Sequence, residues 1–135
     1  MAKRFIQSVD LKVGDSGDLL IEEALAAWAA LGYVIQRATF SGKLTTETLI
    51  AAVAGKELHV VGGMVTCGVA AGTMTFRSNT TAISAAYDMV VGSGLTIAPR
   101  PMTRPMWRTA VGEAFTVAMT GSGQTVSGDI EYIEV

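Results

Sequence analysis

Ala114 to Val135 reads AFTVAMTGSGQTVSGDIEYIEV. Phe115, Val117 and Met119 alternate with smaller or polar residues and so share one face of an extended chain, while Val126, Ile130, Tyr132 and Val135 approximate a second apolar face. Gly121-Ser122-Gly123 between them is a turn signal, which makes the pair read as two strands with a hairpin connection. The final strand is therefore expected to be integral to the sheet and not a tail.

Working outward from this pair, further strands are expected at Tyr33 to Phe40, Thr48 to Val53, Glu57 to Cys67, Thr73 to Arg77, Ala86 to Val91 and Trp107 to Ala110. Turns are expected at Ser41-Gly42, Ala54-Gly55-Lys56, Gly62-Gly63, Gly68 to Gly72, Ser78-Asn79, Gly92-Ser93-Gly94 and Val111-Gly112-Glu113. Turn signals roughly 8 to 12 residues apart favour a sandwich or barrel. No internal repeat or low-complexity tract competes, so a mainly β, two-sheet antiparallel β-sandwich over residues 34–135 is the economical expectation.

Residues 1–33 have another texture and read as an N-terminal arm plus helix. Gly14-Asp15-Ser16-Gly17 marks a turn, Asp18 can cap the amides after it, Glu22 and Glu23 suit the first turns of a helix, and Gly32 supplies a stop. Ile21, Leu25, Trp28 and Leu31 form one stripe of a short amphipathic helix. It covers a sheet or docks on a partner, and either surface would take Trp28.

Half of the 135 residues are hydrophobic and only 16% are charged, against about 25% in an ordinary globular chain. Few charges remain to coat a monomer. Either Thr, Ser and Gly make up the surface, or apolar surface is hidden in an assembly, and the second is preferred. Leu19 to Val34 is interrupted by Glu22 and Glu23 and falls short of a membrane span. Phe5 to Val13 is too polar for a secretory core, so folding in a cytoplasm is expected. A net charge of −2 with scattered basic residues gives no footprint for nucleic acid.

Residues that could carry chemistry are sparse. Cys67 is the only cysteine, which precludes an intrachain disulfide and fits a small buried hydrophobe within a strand. His59, the only histidine, is expected at the surface or an interface, because alternation sets it opposite Leu58 and Val60 and no second metal ligand of comparable quality lies at metal-site spacing. Ser84, Ser93 and Ser127 lack a nucleophile-elbow context. Gly92-Ser93-Gly94 and Gly121-Ser122-Gly123 precede no helix that could cradle phosphate and read as hairpin connections. Glu22-Glu23 and the pair Asp129 with Glu131 read as a solvated rim in preference to a glycosidase dyad, with calcium binding the remaining alternative. No catalytic residue, cofactor or metal is expected.

The segment Ile97 to Arg108, IAPRPMTRPMWR, holds all three prolines of the chain together with two methionines, one tryptophan and three arginines. Proline fixes an extended backbone, and Trp, Met and Arg are enriched at buried interfaces. Pro99, Pro101, Met102, Pro105, Met106 and Trp107 are thus candidate subunit contacts, joined by Phe5 and Trp28. An internal lid and a ligand for a peptide-binding module are the other readings of the loop.

Leu49 to Val60 (LIAAVAGKELHV), Gly72 to Ser78 (GTMTFRS), Gly112 to Val117 (GEAFTV) and Val126 to Val135 (VSGDIEYIEV) together resemble small structural proteins of tailed-bacteriophage virions. The resemblance spans residues 44–135 and consists of strand-and-turn signatures; the helical preface departs from it. It implies a jelly-roll or similar sandwich, commonly trimeric, displayed on the capsid exterior as a decoration (cement) protein or head fibre. Its partners would be further copies of itself and the major capsid protein. A tail or baseplate part, or a receptor- or carbohydrate-binding sandwich, is the rival class.

Overall fold

The computed structural model describes residues 32–44 and 46–135. The helix expected before Gly32, with Phe5 and Trp28, lies outside the described residues. Val34–Val135 makes a compact unit, built from nine strands: β1 (Gln36–Leu44), β2 (Glu47–Ile50), β3 (Leu58–Gly68), β4 (Gly72–Ser78), β5 (Thr81–Met89), β6 (Gly94–Ile97), β7 (Trp107–Arg108), β8 (Phe115–Met119) and β9 (Thr125–Glu134).

Every pairing is antiparallel. One sheet runs β1-β9-β3-β6, with β7 also on β3, and the other runs β2-β8-β4-β5. Period-two alternation turns one face of each sheet inward. Leu58, Val60, Val65, Val126 and Ile130 of the first sheet and Met74, Phe76, Phe115 and Val117 of the second join a single buried cluster. The two sheets thus share one core, as in a sandwich. Most of the alternation read in β8 and β9 fills it: Phe115, Val117, Val126 and Ile130 are fully buried, and Met119 and Tyr132 pack against the cluster, whereas Val135, expected on the same face, lies past the end of β9 and outside the cluster.

Local sequence proved a poor guide to which strands pair. β8 and β9 lie in different sheets, as do β5 and β6, so Gly121-Ser122-Gly123 and Gly92-Ser93-Gly94 are arches between sheets and not hairpin connections. Only β4 and β5 are both consecutive and paired, turning at Asn79 with φ 49°. Two other expected turns lie inside strands. Ser41-Gly42 sits at a register shift in β1, and Gly62-Gly63 follows a register shift in β3. Gly63 adopts φ 132°, and a Cβ there would collide with the Asp129 carbonyl, so the glycine allows β9 to approach closely. β6 was not expected, being four residues directly after a glycine-rich turn.

Candidate docking surfaces

The loop between β6 and β7 leaves and rejoins the same strand. β6 pairs with Gly63–Thr66 of β3 and β7 with His59 and Val60, so the intervening residues bow out from one edge. Proline removes the amides that would otherwise need partners at Pro99, Pro101 and Pro105. Two of the remaining amides tie the loop down, Arg100 N donating to Val61 O at 2.9 Å and Met106 N to Val60 O at 2.7 Å. Arg104 N donates to Pro101 O at 2.9 Å, closing an internal turn.

This backbone sorts the loop's side chains. Trp107 is 7% exposed and Met102 4%. Trp107 packs on Phe76 at 4.7 Å between ring centroids, with Phe115 at 6.0 Å and Tyr87 at 6.4 Å. Both were expected as contact anchors; in the single chain both are buried, Trp107 because β7 pairs it with the inward-facing Val60 and so turns it into the core. Pro99 is exposed, Pro101 and Pro105 are half-buried, and Met106 is exposed. Beside them, Ile83 of β5 with Pro105, Met106, Trp107 and Arg108 lines an open hollow of about 390 Å³.

A second surface was not anticipated from sequence. The β3–β4, β5–β6 and β8–β9 connections meet at one end of the sandwich: Gly92 N donates to Cys67 O at 2.8 Å, and Cys67 N to Ser93 O at 2.9 Å. Gln124, fully buried, accepts from Gly121 N at 2.8 Å and points its amide nitrogen at Cys67 Sγ, 3.6 Å away. Gly121 is required there, since a Cβ would strike the Ala71 carbonyl. None of Gly68–Gly72, Val90–Gly94 or Thr120–Thr125 carries a charge. Yet Val69, Val90 and Val91 are 74%, 64% and 57% exposed.

The remaining candidates for chemistry are spread over β3, β5, β9 and the β5–β6 connection. His59 is buried, contrary to the surface position expected, and its Nε2 lies 2.7 Å from Glu57 Oε1. The sequence-based reading missed this because burial in this part of β3 extends beyond the core cluster: His59 and Val61 are buried outside it. Cys67 is buried within β3 as expected. Ser84 Oγ accepts from Phe76 N, Ser93 Oγ from Val90 N and Ser127 Oγ from Gly42 N. Glu131 pairs with Arg37 at 3.1 Å. Among the described residues no three His, Cys, Asp or Glu side chains gather as a metal site, and no helix is long and apolar enough to cross a membrane. No protein-family model matches the chain, and no curated protein matches its sequence.

Proposed function

We propose that this chain is a non-catalytic structural subunit of a bacteriophage virion, a capsid decoration protein that associates with its own copies and seats on the major capsid shell. The observation that carries the reading is the uncharged end of the sandwich, where Val69, Val90 and Val91 stand in water. Scattered apolar residues are ordinary on a surface, but three exposed valines on two charge-free connections at one end of the sandwich support the reading of a contact. Burying them stabilises a contact by about 1 to 2 kcal/mol each before the cost of association.

The strand order supports a jelly roll as the particular sandwich. With β6 and β7 taken as one interrupted strand, the pairs β4–β5, β3–β6, β2–β8 and β1–β9 nest inside one another, as when one long hairpin is rolled into two sheets. The rival carbohydrate-binding reading calls for exposed aromatics on a concave face; among the described residues every aromatic side chain is buried or half-buried.

Light scattering on the full chain, with co-sedimentation on empty heads assembled from the major capsid protein of the same phage, tests the proposal. The wild-type chain is expected to run as a multiple of 14.1 kDa, a trimer on this reading, and to pellet with heads. Val90→Asp with Val91→Asp should shift it to the monomer and release it. A wild-type monomer that stays in the supernatant overturns the reading.

A further inference from the structure

The β6–β7 loop carries charge that the fold does not use. Arg100, Arg104 and Arg108 are three of the ten basic residues of the chain, and all three are exposed. The Arg100 guanidinium donates from Nε to Arg104 O at 3.0 Å and approaches Met106 Sδ at 3.3 Å, which holds the loop's own shape. Neither the Arg104 nor the Arg108 guanidinium has a hydrogen bond or ion pair with any described residue. The ion pairs of the described residues lie elsewhere: Arg37 with Glu131, Lys43 with Glu47, and His59 with Glu57.

Three guanidinium groups within nine positions, with no acid paired to them, make a local positive field on a chain whose net charge is −2. The field borders the hollow lined by Ile83, Pro105, Met106 and Trp107. A complementary ligand therefore offers an apolar side chain flanked by anions. Arginine forks match carboxylates with two parallel hydrogen bonds. A nucleic acid would require a longer basic track, and the other basic residues of the described chain lie on other elements: Arg37 and Lys43 on β1, Lys56 before β3 and Arg77 on β4.

We propose that this loop docks an extended acidic segment of a partner protein, with an aliphatic side chain in the hollow and carboxylates on Arg104 and Arg108. The inference rests on the structural-subunit reading above for the class of partner, and adds the chemistry by which that partner is recognised. Rim ion pairs of this kind act on encounter rate and register as well as on affinity.

Nitrogen-15 NMR of the full chain tests it, using as probe a blocked octapeptide of glutamates around a central leucine, the same peptide with glutamines, and a short oligothymidylate. The glutamate peptide is expected to shift the Met106 and Arg108 amides and the Trp107 indole, and to bind more weakly as salt rises. Arg104→Gln with Arg108→Gln should weaken it about fivefold, the sum of two exposed ion pairs, with an unchanged melting temperature because neither side chain supports the fold. Equal shifts from the glutamine peptide, unchanged affinity in the double variant, or tighter binding of oligothymidylate each overturn the proposal. Peptide binding without head binding would remove the virion address and keep the acidic partner; head binding without peptide binding would do the reverse.

Discussion

Val69 occupies backbone space that β-branched residues avoid. Its φ is 65°, and Ala70 N donates to Gly68 O at 2.7 Å, so the residue sits at the centre of a three-residue turn of the rarer, strained hand. Such a conformation costs on the order of 1 to 2 kcal/mol for a residue with a Cβ. Neighbours hold it in place, with Cys67 Sγ set 3.3 Å from Ala70 O. A valine kept there at 74% exposure gains nothing for the isolated fold. Val69→Asn, which tolerates this region, should raise the melting temperature by roughly 4 °C while lowering the assembled mass; calorimetry and light scattering read the two effects, and an unchanged or lower melting temperature sinks the strain argument. At this scale the sequence was legible where one periodicity decides the matter, as for Cys67 and Phe115. It was illegible at Val69, whose strained turn no periodicity announces, and at His59, which is flanked by distant strands through Arg108 and Ile133.

β7 shows the same limit one level up. The composition of Ile97 to Arg108 reads correctly as a proline-ruled loop ending in a strand, but not which side chains turn inward. That is set by the pairing of Trp107 with Val60, a contact between residues 47 positions apart. Trp107 ties the loop's end to Phe76 of the other sheet, so Trp107→Ala removes a core side chain. The expected cost is about 3 to 5 kcal/mol of folding stability, read by urea unfolding. A stable variant that loses only its assembled mass would restore the sequence-based view of Trp107. The arches mistaken for hairpins have the same cause: a short Gly/Ser connection looks alike whether the chain returns along its own sheet or crosses to the facing one.

For the whole sandwich, the governing feature is the nesting of strand pairs. β1 meets β9, with Gln36 opposite Tyr132, and only β4–β5 forms between sequence neighbours. Contacts this non-local close large loops before they are rewarded, so refolding should take milliseconds to seconds and not microseconds. A stopped-flow trace on Trp28→Phe, which leaves Trp107 as the sole tryptophan, measures this directly; a microsecond relaxation would contradict it. The sequence revealed the strands other than β6 and the general class of fold, because periodicity is local, and withheld the pairing, because pairing is not. One consequence reaches into synthesis on the ribosome. β9, which follows the other eight described strands in chain order, takes a middle place between β1 and β3. A nascent chain stopped short of Thr125 would leave both of those strands with a bare edge, and the first sheet would lose its two longest seams at once. Closure of that sheet therefore waits for Thr125–Glu134 to emerge, and a copy terminated before Thr125 would be a target for proteolysis.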